Sequence, residues 1–179
     1  MIYLFFLLNI LRLFVYKVRY GRRYTSSLWE RIHSKATLKC YQLGQFQLGK
    51  NIEISDYCDF LVFDKAKIII GDHTYFNKFC MISCHSGVEI GKDCLFGPGV
   101  KIFDNDHLFT KDKGVSCSLK SSPISIGNHC WIASDVIILK GSKIGDNCVI
   151  GAGCVIKGNI PPNSLVKQQR ELEIVPIKE

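Results

Sequence analysis

The segment 124-ISIGNHCWIASDVIILKGSKIGDNCVIGAGCVIKG-158 repeats an aliphatic residue every six positions. The residue that follows is glycine at three of the six positions and alanine at a fourth. A period of six matches neither the alternation of a strand nor the 3.6-residue turn of a helix. It predicts a short strand and a tight turn, repeated, with the aliphatic side chains buried in one continuous core. The repeated residues are Ile126, Ile132, Ile138, Ile144, Ile150 and Ile156.

The same period runs upstream through Ile90, Phe96 and Ile102, and more faintly back to Leu48. A second inward position lies four residues after each aliphatic, and cysteine is frequent there. The chain has nine cysteines, an odd number, and no C-x-x-C pair. We therefore interpret these cysteines as small core residues in a reducing, cytoplasmic protein rather than as disulfides or metal ligands. Those in the repeat register are Cys58, Cys80, Cys94, Cys130, Cys148 and Cys154.

Charge is unevenly distributed along the 179 residues. The net charge is +7, and residues 1–39 carry eight Lys or Arg and one acid, Glu30. The whole excess lies in this segment, which indicates a local anionic partner rather than a general nucleic-acid surface.

The N-terminus, 1-MIYLFFLLNILRLFVYKVRYGRRY-24, is apolar at first and then basic. It lacks the charge order and cleavage site of a signal peptide. Arg12 interrupts it before the ~20 apolar residues that a spanning helix needs. Two interpretations stay open: a helix on the inner face of the cytoplasmic membrane, or a helix packed on its own domain or on a neighbouring subunit.

The repeat over residues 48–162 resembles that of the hexapeptide-repeat acyltransferases. This resemblance implies an all-β fold, a left-handed parallel β-helix. We expect three parts: an apolar and basic N-terminal helical segment over 1–39, the β-helix domain over 40–162 and a short tail over 163–179.

One polar interruption carries the more specific resemblance. The stretch 97-GPGVKIFDNDHLF-109 is similar to the part of the maltose, galactoside and nodulation-factor O-acetyltransferases that holds their catalytic histidine. The match gives His107 the role of general base, and imidazole titrates near the working pH. A long loop over 103–123 would then project toward the next subunit of a homotrimer. Asp104 and Asp106 are both candidates to orient the imidazole.

Other positions match the same family. Asn77 would help to place the acceptor hydroxyl, Trp131 would line the pantetheine arm, and Ser134 would lie near the thioester carbonyl as an oxyanion partner. Ala152 matches a backbone contact to coenzyme A, and Lys157 falls beside its phosphates.

The usual Gly-Asn-Pro-Ala-Lys stretch after the last coil is missing, so Lys167 is a candidate phosphate ligand on its charge alone. The N-terminal helical region characteristic of the maltose enzymes is also absent, which makes a free disaccharide a poor expectation for the acceptor.

These matches predict an acetyl-CoA-dependent O-acetyltransferase acting on a sugar hydroxyl, in a bacterial capsule or O-antigen glycan or its precursor. Acetyl-CoA is the expected co-substrate, and no metal is expected. Three alternatives stay open: an N-acetyltransferase acting on an amino sugar or nucleotide sugar, a non-enzymatic β-helix scaffold, and a zinc enzyme like the γ-class carbonic anhydrases. The last needs three converging histidines, and no closely spaced pair exists here.

Overall fold

The computed structural model describes residues 2–27 and 29–169, with side chains from residue 7 onward. Short parallel strands wind around one core as a β-solenoid of about 6 turns. Each turn contributes one strand to each of three sheets, as the six-residue period predicts, because a strand and a turn together use six residues.

The three sheets form the sides of the solenoid. The first contains β1 (Tyr24–Thr25), β4 (Gln45–Leu48), β7 (Lys67–Ile70), β10 (Val88–Ile90), β15 (Ile124–Ile126), β18 (Lys143–Ile144) and β21 (Asn159–Ile160). The second contains β2 (Arg31–Ile32), β5 (Glu53–Ile54), β8 (Tyr75–Phe76), β11 (Leu95–Phe96), β16 (Trp131–Ile132), β19 (Val149–Ile150) and β22 (Leu165–Val166). The third contains β3 (Thr37–Cys40), β6 (Asp59–Val62), β9 (Met81–Cys84), β12 (Lys101–Phe103), β17 (Ile137–Leu139) and β20 (Val155–Ile156).

Neighbouring sheets meet at the corners of the solenoid, and two of these corners are named here. The front corner joins the second sheet to the third, and the arm corner joins the third sheet to the first. The front corner comprises 33–35, 55–57, 77–79, 97–99, 133–135, 151–153 and residue 167. The arm corner comprises 41–43, 63–65, 85–87, 104, 122, 140–141 and 157–158.

The repeated aliphatic residues form the core, as predicted. Equivalent residues of successive turns lie in register, for example Ile70, Ile90 and Ile126. Phe76 and Phe96 stack with ring centroids 4.4 Å apart. The six cysteines of the repeat register are buried, and all nine cysteines are free thiols.

The helix α1 (Ile2–Tyr20) covers the N-terminal end of the solenoid and leads through a 3-10 turn (Gly21–Arg23) into β1. Leu13 is fully buried against the first coil, and Asn9 Oδ1 accepts a hydrogen bond from the N–H of Ile32 at 3.3 Å. Packing on its own domain, one of the two interpretations of this segment, is therefore what the structure shows. No helix within the described ranges is long and apolar enough to cross a bilayer.

The solenoid includes residues on both sides of the expected 40–162 domain. Strands β1–β3 place its first coil at residues 24–40, within the segment expected to be helical, and β22 extends it past residue 162. The last part of the expected tail, 170–179, lies outside the described residues.

Most of the long loop expected over 103–123 is a β-hairpin, which runs from residue 105 to residue 121. Strand β13 (Asn105–Thr110) pairs antiparallel with β14 (Gly114–Ser121), and we call this hairpin the arm. Gly114, at φ +65°, allows the tight turn between the two strands. Phe109, Thr110 and Val115, on either side of this turn, are residue types that favour strands.

Candidate functional site

Asp104 fixes the place where the arm leaves the solenoid. Its side chain is fully buried, and its carboxylate accepts hydrogen bonds from the N–H groups of His85, Ser86 and Gly87 at 2.8, 2.6 and 2.8 Å. Asn105 Nδ2 donates to the Ser83 carbonyl at 3.1 Å. Three backbone donors replace the water that a carboxylate would otherwise hold, so a buried charge is tolerated here.

Neither candidate aspartate contacts the imidazole. Asp104 is used by the backbone of residues 85–87, and Asp106 forms an ion pair with Lys140, with 2.5 Å between Oδ2 and Nζ. The pair ties the arm to the turn before β18.

His107 lies on the exposed arm, opposite Leu119. Its Nδ1 lies 3.0 Å from the Ser116 carbonyl oxygen. A carbonyl oxygen only accepts hydrogen bonds, so Nδ1 must carry the proton in this contact. In a neutral ring the proton-accepting nitrogen is then Nε2. The carbonyl of Ser116 therefore orients the imidazole, a role for which the sequence analysis had named Asp104 and Asp106 as candidates.

Four of the predicted residues gather at the front corner: Asn77, Ser134, Ala152 and Lys167 lie on different coils of the same edge. The N–H of Gly153, next to Ala152, donates to the Ser134 carbonyl at 2.9 Å.

The backbone at Ser134 lies directly against Gly97 of the preceding coil. A Cβ at Gly97 would come within 2.6 Å of the Ser134 nitrogen, so glycine allows this close approach. Asn77 Oδ1 accepts a hydrogen bond from the Lys78 N–H at 2.8 Å, which leaves its amide N–H₂ group for other partners.

Trp131 lies just before this corner, on the outer face of the second sheet. The indole is 53% exposed and has Leu95 and Val149 as its in-register neighbours. Leu95 and Leu165 are also exposed, so an apolar stripe runs along this face beside the front corner.

The structure does not bring all the predicted residues together in one chain. His107 and Lys157 belong to the arm corner, whereas Asn77, Ser134 and Ala152 belong to the front corner. The width of the third sheet separates the two corners, and its strands of two to four residues span roughly 7–14 Å. One chain alone therefore holds two parts of the candidate site on opposite edges.

No group of three or more His, Cys, Asp or Glu side chains within the described residues could hold a metal ion. His73 and His129 both face Asp93, with 3.2 and 3.7 Å between Nδ1 and a carboxylate oxygen; the two imidazoles are about half exposed and Asp93 is partly buried.

Two groups of residues at this site went unpredicted. Tyr57 and Phe79 stack at the front corner with centroids 5.2 Å apart, and Lys35 Nζ donates to the Tyr57 hydroxyl at 2.8 Å. Lys35 and Tyr57 are 22 positions apart, as are Tyr57 and Phe79, so a search at the length of a whole coil would have found this ladder. The second group consists of Arg12, Arg19, Lys35 and Lys39, which line a basic cavity under α1. No regular spacing in the sequence indicates this cavity, because it is formed by the packing of the helix on the first coil.

Comparison with known proteins adds to this geometry. Residues 123–158 match the family model for the bacterial transferase hexapeptide (six repeats). This part of the chain therefore carries the hexapeptide repeat that the family model describes.

The chain is 39% identical over 98 residues to galactoside O-acetyltransferase of Escherichia coli (strain K12), covering 55% of this chain and 48% of that one. It is 34% identical over 120 residues to nodulation protein L of Rhizobium leguminosarum bv. viciae, covering 67% and 61%. A solved galactoside acetyltransferase in complex with coenzyme A is 34% identical, with a TM-score of 0.59, covering 67% of this chain and 60% of that chain. The chain thus spans about half of the galactoside relative.

Proposed function

We propose that this protein is an acetyl-CoA-dependent O-acetyltransferase that acts on a sugar hydroxyl. The observation that carries the proposal is the orientation of His107. Its Nδ1 is held by the Ser116 carbonyl, and Nε2 is the basic nitrogen on an arm projecting from a hexapeptide solenoid. The relatives named as galactoside O-acetyltransferases supply the acyl donor class and the kind of acceptor.

The reaction needs one proton carrier. Nε2 of His107 removes the hydroxyl proton while the sugar oxygen attacks the thioester carbonyl of acetyl-CoA. The tetrahedral intermediate carries an oxyanion, for which Ser134 is the proposed donor. Its collapse breaks the carbon–sulfur bond, and the imidazolium returns the proton to the departing coenzyme A thiolate. No acyl-enzyme intermediate is required.

The front corner suits the coenzyme. Trp131 and Leu165 offer exposed apolar surface for the pantetheine arm, and Lys167 lies at the C-terminal end of the same edge, where phosphates would follow. Lys157 lies at the arm corner and would reach those phosphates only from another copy of the chain.

We infer that the protein works as a homotrimer with shared sites. The arm corner of one copy would bring His107 to the front corner of the next, which joins the two parts that one chain keeps apart. This arrangement also gives Lys157 access to the coenzyme bound by its neighbour.

We further infer that the acceptor is a surface glycan or its precursor, modified at the inner face of the cytoplasmic membrane. One relative in Escherichia coli (strain K12), WbbJ, carries lipopolysaccharide biosynthesis and O-acetyl transfer in its name. The outer face of α1 is apolar and exposed, with Leu11 57%, Phe14 56% and Val18 69% accessible. An apolar helix face with a basic flank is suited to an anionic lipid surface.

The deciding experiment incubates the protein with acetyl-CoA and a panel of sugars, amino sugars and bacterial surface glycans, and identifies products by mass spectrometry. We expect one acetyl group on a hydroxyl, and a loss of about 100- to 10,000-fold in rate in His107→Ala, the range of general-base catalysis. Cys117→Ser, also on the exposed arm, is the matched control and should keep its rate. Acetyl on an amine would replace O-transfer by N-transfer. Absence of both transfer and coenzyme A binding would support a scaffold.

A further inference from the structure

A cavity of about 390 Å³ lies between α1 and the first coil. Four cationic side chains line it, and none of the described acidic residues does. The same lining includes four residues that carry hydroxyl groups: Tyr16, Tyr20, Ser34 and Thr37. The cationic residues are Arg12, Arg19, Lys35 and Lys39.

The charge of this cavity is offset only in part within the described chain, because Asp56 attracts Lys35 from outside the lining but is paired with His33. The Lys and Arg ion pairs among the described residues use Arg31 and Lys140, not the four cations of the cavity. Glu30, the one acid of residues 1–39, is buried, and its carboxylate accepts hydrogen bonds from Ser27 and from the Ile52 N–H. Four unpaired positive charges around one cavity repel one another, and a bound anion would relieve that repulsion.

Arg12 is fixed before any ligand arrives. Its guanidinium bonds the carbonyls of His33 and Ala36 and donates to the Tyr16 hydroxyl at 3.0 and 3.2 Å. Lysines and hydroxyl groups around a held arginine provide many donors from several directions. This donor set suits phosphate, which has three or more acceptor oxygens and more than one negative charge, better than it suits a single carboxylate.

The position of the cavity indicates where the phosphate comes from. Arg12, Tyr16 and Arg19 belong to the helix whose opposite face is exposed and apolar, and a helix is about 10 Å across. A phosphate held there would sit at headgroup depth if that face rested on lipid. We propose that this cavity binds the phosphate group of a lipid-linked saccharide, the acceptor of the reaction.

The front corner supplies a path for the saccharide, and this part rests on the proposed function. Lys35 lines the cavity and also bonds Tyr57, whose ring stacks on that of Phe79. Phe79 lies in the same turn as Asn77 and two coils away from Lys35, which is about 10 Å at ~4.8 Å per coil. Both aromatic rings are about half exposed, at 49% and 58%. The acetylated sugar should therefore lie within the first few units after the phosphate.

The test measures binding without acetyl-CoA, so it does not depend on transfer. Isothermal titration of the full chain would use a prenyl diphosphate, inorganic diphosphate and phosphatidylglycerol vesicles as three separate probes. We expect the prenyl diphosphate to bind tightest. Lys35→Gln with Lys39→Gln should weaken it at least about tenfold, which is 1.4 kcal/mol and within the worth of a charged hydrogen bond. Both lysines are exposed, and unchanged thermal unfolding would show that the variant is folded.

Lys50→Gln with Lys65→Gln removes two exposed lysines elsewhere on the solenoid and should leave the affinity unchanged. Equal affinity for inorganic and prenyl diphosphate would overturn the lipid link and leave a site for free phosphate compounds. If only phosphatidylglycerol vesicles bound, and if the Lys35→Gln and Lys39→Gln changes did not alter that affinity, the proposed phosphate site would be rejected. The protein would then have only a surface that binds bulk lipid. Binding with the expected pattern but no acetyl transfer would keep the pocket and reject the proposed reaction.

Discussion

At the scale of single residues, the inward cysteines do more than fill space. Five of the six cysteines in the repeat register donate from Sγ to the carbonyl of a turn residue in the next coil, as Cys80 does to Gly97 at 3.3 Å and Cys94 to Gly127 at 3.1 Å. Thr74 makes the equivalent bond to Gly91 at 3.0 Å. The sequence pattern predicted that this position is small and buried, but not that it serves a carbonyl, because Val100 and Val136 occupy it too.

Asp104 is the residue on which the arm most depends. Asp104→Ala would leave three backbone N–H groups at the base of the arm without their acceptor, which we expect to destabilise the protein by about 3 kcal/mol. Urea unfolding followed by circular dichroism measures this. Asp112→Ala, at the exposed tip of the arm, is the control and should change stability by less than about 0.5 kcal/mol. Equal stabilities of the two variants would show that Asp104 does not hold the arm.

At the scale of elements, α1 has one face that packs on the solenoid and a second, apolar face that is exposed. Asn9, Leu13 and Tyr20 are buried against the first coil. Leu7, Leu11 and Phe14 on the other side are exposed. The apolar face of a helix normally packs on another apolar surface. The first coil covers one face of α1, and the other face is left as an exposed apolar patch.

The exposed face of α1 predicts binding to anionic vesicles. Phe14→Ser with Val18→Ser removes two large exposed side chains and should weaken binding to phosphatidylglycerol vesicles at least about tenfold in a flotation assay. Leu43→Ser, an equally exposed leucine on the solenoid, is the matched control and should float like the unchanged protein. Vesicles without net charge should bind more weakly, because the basic flank then contributes little. Equal flotation of the helix variant and the control would argue against the surface.

How much of the fold the sequence predicts depends on how regular each coil is. Ile126 to Ile156 repeat without a break, and the structure buries all six. Ile32 and Leu38 keep the same six-residue step but precede His33 and Lys39 instead of small residues, so the first coil was missed. The sequence did not predict that the arm is a hairpin, because its two strands pair with each other outside the core. Both faces of these strands are exposed, so their side chains show no periodic burial.

At the scale of the whole molecule, the candidate site is split between two edges. Sequence matching predicted His107, Asn77 and Ser134 one by one, but a linear pattern carries no information on which corner each residue faces. The corner is set by the number of coils and the order of the sheets, which is a property of the complete solenoid.

The split predicts complementation between inactive variants. Chains with His107→Ala and chains with Trp131→Ala should each be nearly inactive. After co-refolding at equal amounts, a homotrimer with shared sites should recover about a quarter of the unchanged activity, since one site in four pairs two intact halves. His107→Ala refolded alone gives the baseline. No recovery above it would place the complete site within one chain.

The cap formed by α1 has a consequence for self-assembly. Strands β1, β2 and β3 end the three sheets, and a bare end of this kind presents unpaired backbone groups that can template a further chain. Asn9 and Arg12 take up backbone groups of Glu30, Ile32, His33 and Ala36 at that end. A chain shortened to start at residue 24 should therefore tend to associate end to end into fibres. The helix α1 caps the solenoid and so prevents this polymerisation.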